Sequence, residues 1–297
     1  MPLNDITSTP LPQLAKRRPD SHKGDYGRAL VVGGSRGMSG AIALAGLATL
    51  RSGAGLVTLA VPRTVQDVVA SFDPSYMTHG LADDGERFTA AAADELISLT
   101  DGITVLALGP GLGRSAALTE FVVHLYREVK QPMVVDADAL FALAEQPDVL
   151  QSPAGPRILT PHPGEFARLT GTSLGTTNDK RTSAAGELAS ASGASDASVV
   201  IVLKGHRTIV TDGSRTSINQ TGNPGMATGG SGDVLTGVIT ALLCQGLTPF
   251  DAARLGVHVH GLAGDRAAEK LGQVSLIASD LVDFLPAAFQ SLTNALK

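Results

Sequence analysis

From residue 29 to residue 61 the chain reads ALVVGGSRGMSGAIALAGLATLRSGAGLVTLAV, a sequence in which strand and helix patterns alternate. Ala29–Val32 and Leu56–Val61 are continuous apolar runs, typical of strands buried on both faces of a parallel sheet. Between them, Ser39–Ser52 is apolar nearly all round, which predicts a deeply buried helix, and the two glycines that follow supply its stop signal. Alternation of this kind predicts a doubly wound α/β sheet, with ligands at the carboxyl ends of its strands.

The same alternation continues along the rest of the chain. Further strands are predicted at Ile103–Leu108, Met133–Asp136, Arg157–Leu159 and Val199–Leu203, and helices at Arg87–Leu99, Ser115–Val129, Asp138–Ala144 and Asp179–Ala191. An Asp-Gly turn joins a hairpin, Arg207–Thr211 and Arg215–Asn219, and three helices follow at Gly232–Gln245, Pro249–Lys270 and Ala278–Thr293. We therefore expect one α/β domain over residues 22–297, preceded by an extended arm at 1–21.

Composition narrows the possible function classes. The chain has 297 residues, with 23 Lys and Arg against 28 Asp and Glu, for a net charge of −5. Such mild acidity argues against nucleic acid as a partner, because phosphate backbones attract basic patches. The lone cysteine, Cys244, excludes a disulfide framework or a cysteine-based metal site and favours the cytoplasm. No apolar run approaches the roughly 18 residues of a membrane span, so we expect no membrane partner.

The loop NPGMATGGSGD, which ends at Asp233 and precedes a predicted helix, carries the strongest functional signal. Gly229, Gly230 and Gly232 let the backbone curl so that successive N–H groups converge at the helix N-terminus. This arrangement predicts a site for a phosphate group or an anionic transition state. Asp233 adds like charge there, which makes sense if its carboxylate accepts a proton from a hydroxyl beside the phosphoryl group.

The same loop also admits a purely structural interpretation. Ser231 would cap the helix, and Asp233 would complement the helix dipole. The loop does not match a Walker A motif, which requires Lys followed by Ser or Thr after its last glycine. The three neighbouring glycines favour the anion site over the simple helix start.

A second loop, Lys204-Gly-His-Arg-Thr208, follows the predicted strand Val199–Leu203. A lysine at a strand end is able to hold a phosphate or a nucleotide ribose, and Gly205 permits close approach of the backbone. The alternative is a hairpin turn that carries a solvated lysine.

A third loop, Thr160-Pro-His-Pro-Gly-Glu165, follows the strand Arg157–Leu159. Two prolines fix the backbone around His162, and Pro163 suits a first helical position. Glu165 in the first helical turn is placed to bind Mg²⁺ through water. The alternative is a satisfied loop histidine beside a glutamate that complements the helix dipole.

Two glycine-rich turns test whether the chain is a nicotinamide-dependent dehydrogenase. Leu108–Gly113 reads LGPGLG, but Arg114 stands where the G-x-G-x-x-G fingerprint needs its last glycine, although Asp136 follows at a suitable distance. Gly33–Ala41 reads GGSRGMSGA, yet no acidic residue follows the next strand. A hydride-transfer site is therefore disfavoured, while the small Ala41 suits a pocket floor.

Two pairs of titratable residues give weaker signals. Asp136 and Asp138 follow a predicted strand and would either bind a metal ion or cap the next helix, of which we expect capping. His258 and His260 lie two apart in a predicted helix, on different faces, which makes them poor joint ligands.

Taken together, the motifs resemble those of the ADP-dependent NAD(P)H-hydrate dehydratases. The shared motifs, in chain order, are HKGDYG at 22–27, GGSRGMSGA at 33–41, LGPGLG at 108–113, VDADAL at 135–140, TPHPGE at 160–165, VLKG at 202–205 and NPGMATGGSGD at 223–233. The combination is specific although no single motif is. The resemblance implies a three-layer ribokinase-like fold, with a mostly parallel sheet and helices on both faces.

The resemblance also implies a role for each site residue. Asp233 would take the hydroxyl proton, and the N–H groups around Gly230 and Gly232 would hold the transferred phosphoryl group. The hydrate pocket would be lined by Ala41, Gly111, His162 and Asp233. The adenine nucleotide would be contacted by Lys204, Gly205, His206, Arg207, Thr208 and Gly232. Glu165 is carried over from related kinases as the Mg²⁺-organising group.

The implied reaction repairs hydrated NADH and NADPH. ADP would phosphorylate the ring hydroxyl of the S epimer, and loss of phosphate would restore the ring double bond, with AMP and phosphate as products. Kinases of this fold usually carry Asn-x-x-Glu where this chain has His162-x-x-Glu165, and that departure favours dehydration.

The resemblance bears on partners as well. Many relatives carry an epimerase domain ahead of this module. Because only about 20 residues precede the match, we expect that domain to be absent and a separate NAD(P)H-hydrate epimerase to act as the pathway partner. Family members tend to form tetramers, so a homo-oligomer is expected.

Two other function classes stay open. A kinase of a vitamin-precursor alcohol, of the hydroxymethylpyrimidine or hydroxyethylthiazole type, would use the same glycine loop and Asp233. A non-catalytic nucleotide sensor would explain the glycine loops but leaves Asp233 without a role.

Overall fold

Ten strands form one sheet in the part of the chain that the computed structural model describes, residues 3–192 and 198–294. The strands are β1 Asn4–Asp5, β2 Arg28–Val32, β3 Leu56–Pro62, β4 Met77–Leu81, β5 Val105–Leu108, β6 Met133–Val135, β7 Arg157–Leu159, β8 Val199–Leu203, β9 Ile209–Thr211 and β10 Arg215–Ile218. Their order across the sheet is β1-β10-β9-β8-β7-β6-β5-β2-β3-β4. Strands β2 to β8 run parallel, and β9 is antiparallel to both of its neighbours, which confirms the mostly parallel sheet.

Helices cover both faces of this sheet. They are α1 Ser39–Arg51, α2 Gln66–Ala70, α3 Ala92–Leu99, α4 Ala116–Glu128, α5 Ala137–Glu145, α6 Pro163–Thr170, α7 Asn178–Ala191, α8 Ser231–Cys244, α9 Pro249–Leu271 and α10 Ala278–Asn294. One apolar core contains side chains of α1, α2, α8, α9 and α10, and the other contains side chains of α3 to α7. Alternate residues of β2 enter the two cores, which is why the strand reads as a continuous apolar run. The three-layer architecture expected from the sequence is confirmed.

Helix α8 is the centre of one helical layer. All of its residues from Val234 to Cys244 are buried, and it packs closely against α1. A Cβ atom on Gly237 would lie 2.2 Å from the backbone oxygen of Ala45, so the two helix backbones touch at this glycine. This contact holds the N-terminus of α8 at the carboxyl edge of the sheet.

Residues of the predicted N-terminal arm lie beside β10, at one lateral edge of the sheet. Strand β1 pairs in parallel with β10. The buried guanidinium of Arg254, in α9, donates hydrogen bonds to the backbone oxygens of Ile6 and Pro10 at 3.1 and 3.0 Å. The arm therefore covers the edge of β10, which would otherwise expose unpaired backbone groups.

Several element boundaries differ from the sequence expectation, each for a local reason. The helix predicted from Arg87 begins at Ala92, because Phe88 forms a β-bridge with Asp83. Strand β9 begins two residues later than predicted, since Arg207 has a φ of 55°, in the left-handed region. Strands β1 and β4 and helix α2 were not predicted, and of α6 only the first turn, at Pro163–Glu165, was predicted. Among the described residues, no helix combines the length and apolar character that a membrane span requires.

The α1–α8 contact predicts that Gly237→Ala destabilises the protein. Alanine is the better helix former by about 1 kcal/mol, but its Cβ would press on a backbone atom, and overpacking of this kind costs about 1–3 kcal/mol or more. Urea unfolding of the variant measures the difference. The control is Gly40→Ala in α1, where the added Cβ would meet nothing within 4 Å and stability should not fall. Equal stability of Gly237→Ala and the wild type would contradict the close contact.

Candidate functional site

A cavity of about 930 Å³ opens at the carboxyl edge of the sheet. Its walls come from the chain that follows β6, β7 and β8, from residues 219–228 between β10 and α8, from the first turn of α8 and from α9. Ten of the predicted site residues line it, and these are His162, Glu165, Lys204, Gly205, His206, Arg207, Thr208, Gly230, Gly232 and Asp233. Residues far apart in the chain, selected by local patterns, thus converge on one cavity.

The glycine-rich loop presents an open helix N-terminus to this cavity. Gly230 occupies the N-cap position of α8 with a φ of 92°, and no side chain among the described residues caps the helix. A Cβ atom on Gly230 would lie 2.7 Å from Leu44 and 2.9 Å from Ala278, so only glycine fits. The alternative in which Ser231 caps the helix is therefore wrong. The Ser231 N–H donates to the Thr228 carbonyl at 3.4 Å, whereas the N–H groups of Gly232 and Asp233 have no backbone acceptor among the described residues and stay available to an anion.

A buried ion pair lies directly beneath the first turn of α8. Lys204 Nζ is 2.6 Å from Asp136 Oδ1, and the Thr236 hydroxyl donates to Asp136 Oδ2 at 2.8 Å. Asp136 is 1% exposed. A Cβ atom on Gly232 would lie 3.4 Å from Lys204 Nζ, so the lysine sits against the glycine loop. The ends of β6 and β8 and the second turn of α8 are joined through this pair.

The charged groups around Lys204 shift one another's pKa values. Glu165 Oε2 lies 3.7 Å from Lys204 Nζ, which gives the lysine two carboxylate neighbours. Burial acts to lower the pKa of Lys204, but Asp136 and Glu165 outweigh it and the pKa is raised. Burial also raises the pKa of Glu165, against the opposing effect of Lys204. The lysine therefore stays charged, while the ionised form of Glu165 is disfavoured.

The carboxyl group of Asp233 has a strongly raised pKa. Burial, followed by repulsion from Asp136, raises its pKa to about 7, although Lys204 opposes the change. No described residue donates a hydrogen bond to its carboxylate. A carboxylate with these properties is a suitable general base near neutral pH.

His162 and Glu165 form a capping box at the start of α6. His162 Nδ1 accepts from the backbone N–H groups of Gly164 and Glu165, and Glu165 Oε2 accepts from the His162 N–H at 2.8 Å. Pro163 occupies the first helical position, as predicted. The alternative of a histidine with satisfied hydrogen bonds beside a first-turn glutamate therefore describes the geometry of this loop. Both side chains nevertheless line the cavity.

The loop Lys204–Thr208 has a backbone that few other sequences would adopt. Gly205 has a φ of 136° and Arg207 a φ of 55°. Arg181, in α7, donates to the His206 carbonyl at 3.0 Å and holds the loop from outside the cavity. Left-handed backbone at a non-glycine residue costs on the order of 1 kcal/mol and concentrates at functional sites.

Ala41 and Gly111 do not line the cavity. Ala41 lies in the first turn of α1, after β2, and Gly111 lies in the loop after β5, and β2 and β5 are neighbouring strands at which the sheet order reverses. The segments that follow these two strands pack together, since the Gly34 N–H donates to the Pro110 carbonyl at 2.9 Å and a Cβ on Gly111 would lie 3.1 Å from that of Ala41. The two residues therefore form a second group beside the first, at the topological switch point.

The expectation that Asp136 or Asp138 caps α5 is wrong. Asp136 stands at the N-cap position without a side-chain capping bond, because its carboxylate is bound to Lys204 and Thr236. Asp138 accepts instead from the Gly113 N–H at 2.9 Å.

The HKGDYG stretch at 22–27 is remote from the cavity, since Gly27 lies against Cys244, at the far end of α8.

Two residues that gave only weak signals in the sequence, Asp136 and His260, prove to belong to the site. Asp136 stands out only once the partners at 204 and 236 are known. His260, in α9, lines the cavity with its Nε2 2.9 Å from the Ser231 carbonyl oxygen. The sequence pattern places Asp136 at a strand end and His260 on a helix. Their contacts with Lys204, Thr236 and Ser231 could not be predicted, because those contacts depend on packing between elements that are distant in the chain.

The donor set fits a cation that arrives with a nucleotide better than a resident one. Within residues 3–192 and 198–294, no three His, Cys, Asp or Glu side chains converge as a metal site. Mg²⁺ in nucleotide sites keeps several waters and uses only one or two carboxylates besides the phosphates. The half-buried Glu165 is able to serve in that way.

The raised pKa of Asp233 predicts that Asp233→Asn stabilises the protein above neutral pH. The folded pKa of about 7 exceeds the ordinary 3.8, so the folded state binds the proton more tightly, and ionisation between those pH values costs stability. Asparagine cannot ionise. Its advantage should grow from pH 4 to 7 and reach at most about 4 kcal/mol. Thermal unfolding at pH 5 and pH 8 measures it, and a difference that does not change with pH would contradict the raised pKa.

Comparison with known proteins agrees with this geometry. Residues 29–287 match the family model described as NAD(P)H-hydrate dehydratase. A bifunctional NAD(P)H-hydrate repair enzyme of Moorella thermoacetica is 48% identical over 283 residues, which are 94% of this chain and 52% of that enzyme. The chain thus spans about half the length of the relatives it matches in this comparison.

Solved structures give the same result. An ADP/ATP-dependent NAD(P)H-hydrate dehydratase from Bacillus subtilis, co-crystallised with ATP and Mg²⁺, superposes with a TM-score of 0.77 at 31% identity, covering 94% of each chain. A ribokinase-like superfamily protein from Enterococcus faecalis has a TM-score of 0.76 at 27% identity and covers 94% and 92% of the two chains. On its sequence match, its fold and the convergence of its motifs, the chain belongs to the NAD(P)H-hydrate dehydratase family.

Proposed function

We propose that this chain restores NADH and NADPH from the S epimers of their hydrates, with ADP as the phosphoryl donor. The observation that carries the proposal is the position of Asp233, a carboxylate with a pKa near 7 in the first turn of a helix whose N-terminus is open to an anion. A simple anion-binding site would not place a base there. A site that deprotonates a hydroxyl beside a phosphoryl group requires one.

In the first step, the ring hydroxyl oxygen of the hydrate attacks the terminal phosphorus of ADP. The bond from that phosphorus to the bridging oxygen breaks, AMP leaves with the electron pair, and Asp233 takes the hydroxyl proton. The N–H groups around Gly230 and Gly232 stabilise the charge on the transferred phosphoryl group. Lys204, beneath this loop, adds a fixed positive charge.

In the second step, phosphate leaves with the electrons of the carbon–oxygen bond, and a proton departs from the neighbouring ring carbon. The ring double bond returns, and the sum of the two steps is loss of water at the expense of ADP. Phosphorylation is needed because hydroxide is a poor leaving group at neutral pH, whereas phosphate is a good one.

The residues around the cavity support distinct roles for its two ends. The loop Lys204–Thr208 holds the adenine nucleotide, and His162 and Asp233 face the hydrate together with Ala41 and Gly111 from the adjoining segments. A Mg²⁺ ion carried by the nucleotide would be oriented by Glu165 through its water shell, and it would neutralise phosphate charge.

Two partner proposals follow from the same family. A separate epimerase would convert R hydrate to the S form, an activity that the relatives' description as bifunctional repair enzymes suggests for their additional length. The chain itself would assemble with further copies, as a homotetramer.

The proposed activity predicts recovery of the absorbance band of the reduced nicotinamide. Purified protein, Mg²⁺ and fresh S hydrate of NADH should regain that band when ADP is added and not without nucleotide, and parallel reactions with ATP decide the donor. AMP and phosphate should form in equal amounts with the recovered NADH. Absence of recovery with either donor, or a stable phosphorylated product from a vitamin-precursor alcohol, would contradict the proposal and favour the kinase.

The proposed role of Asp233 as the general base predicts the effect of its substitution on turnover. Asp233→Asn should lose turnover by a factor of about 10² or more, because general-base catalysis contributes on that scale, while nucleotide binding persists. In the wild type, kcat/KM should rise with pH up to about 7 as the carboxylate ionises. The control is Asp265→Asn on α9, whose carboxylate accepts from Gly222 and Asn223 in the cavity wall and takes no part in proton transfer. A variant at 233 with wild-type turnover would exclude the assigned role.

A further inference from the structure

His260 makes a hydrogen bond that the proposed chemistry has not used. Its ring is buried, and its Nε2 atom lies 2.9 Å from the Ser231 carbonyl oxygen and 3.4 Å from the Ser231 hydroxyl. The residue belongs to α9, whereas Ser231 is the first residue of α8. The contact therefore joins the glycine loop to a different helix.

The protonation state of the imidazole follows from its partner. A backbone carbonyl only accepts hydrogen bonds, so Nε2 carries the hydrogen and donates it. Burial lowers the pKa of His260 to about 4, and nearby Lys204 acts in the same direction. At neutral pH the ring is therefore uncharged, in a single tautomer, and unsuited to proton transfer.

The accepting carbonyl belongs to the peptide unit that supplies an anion-site donor. A peptide unit is planar, and the Ser231 carbonyl and the Gly232 N–H are its two ends, pointing in opposite directions. A hydrogen bond that fixes one end also fixes the direction of the other. It further polarises the unit, since hydrogen bonds in a chain strengthen one another.

The glycine at one end of this peptide unit makes its direction less firmly held. The unit lies in the first turn of α8, between the α-carbons of Ser231 and Gly232, and Gly232 lacks a side chain that would restrict its backbone. Because helix ends fray more readily than helix interiors, and a transition-state donor needs one direction, an additional restraint on the unit is useful here. The α9 helix is itself placed closely, because Gly261 and Gly264 allow Thr221 and Met226 to lie against its backbone.

We propose that His260 is a positioning residue that aims the Gly232 N–H at the transferred phosphoryl group. The inference rests on the proposed function, because the phosphoryl group is the anion to be held. The imidazole touches neither substrate nor nucleotide in this role. It acts through the Ser231–Gly232 peptide, and its loss should affect the transition state more than ground-state binding.

The test compares two substitutions at one position. His260→Gln keeps an N–H donor near the place of Nε2, and His260→Leu removes the donor with similar bulk. We expect kcat of His260→Leu to fall about 10- to 100-fold with KM for ADP within about threefold, and His260→Gln to recover most of kcat. The pH dependence attributed to Asp233 should stay in place in both variants. His258→Leu is the matched control, the same change two residues away, on a side chain that does not line the cavity.

Other outcomes would overturn the inference. Equal loss in the Gln and Leu variants, a rise in KM for ADP without a change in kcat, or a shifted pH profile would assign His260 to packing, ligand contact or proton transfer. Thermal unfolding of each variant identifies a loss that comes from general destabilisation, and a Leu variant that is as stable as wild type but fully active would also overturn it.

A measurement that needs no turnover separates this inference from the proposed function. In ¹⁵N NMR spectra, His260 should show one neutral tautomer, protonated at Nε2, from pH 5 to 8. The Gly232 amide should respond to inorganic phosphate in the wild type and in His260→Gln, but more weakly in His260→Leu. If the wild type shows no dehydration, the proposed function has failed. In that case these spectra alone decide whether His260 positions the Gly232 N–H, and an imidazole that titrates near pH 6 would overturn the inference.

Discussion

The buried pair of Lys204 and Asp136 is the interaction on which the rest of the site depends. Taking two charges out of water costs several kcal/mol each, and the pair is tolerated because Thr236 and Glu165 complete its surroundings. Its partners come from the ends of β6 and β8 and from α8. Removal of either charge would take from the other its ion-pair partner at 2.6 Å, at a cost of about 3–5 kcal/mol, so the cavity and the packing of β6, β8 and α8 both depend on the intact pair.

The same pair contributes, after burial, to the raised pKa of Asp233. Asp136, Glu165 and Asp233 share the cavity with the largely buried ammonium of Lys204, and two of these carboxylates already lie against it. Burial of Asp233 and repulsion from Asp136 outweigh the attraction of Lys204 and raise the pKa of Asp233 to about 7. The charge arrangement around Lys204 thus also raises the pKa of Asp233, and the stability lost when Asp233 ionises is a consequence of that arrangement.

Features that rest on local chemistry were predictable from the sequence. The βαβ alternation, the glycine loop before α8 and the lysine that follows β8 all leave patterns within a few residues. The edge strand β4 was missed because its sequence, MTHGL, alternates weakly and contains a glycine. The partners of Asp136 and His260 were missed because they lie 68, 100 and 29 residues away and meet only in the folded chain.

The place of Ala41 and Gly111 outside the cavity has a physical meaning within the proposed function. Phosphoryl transfer needs donor and acceptor on opposite sides of the moving group, roughly in line. A Cβ on Gly230 would meet Leu44 of α1, which also carries Ala41, whereas a Cβ on Gly232 would meet Lys204. The glycine loop therefore borders both α1 and the loop Lys204–Thr208. An acceptor held over α1 and a donor held over Lys204 would meet at the N-terminus of α8, beside Asp233.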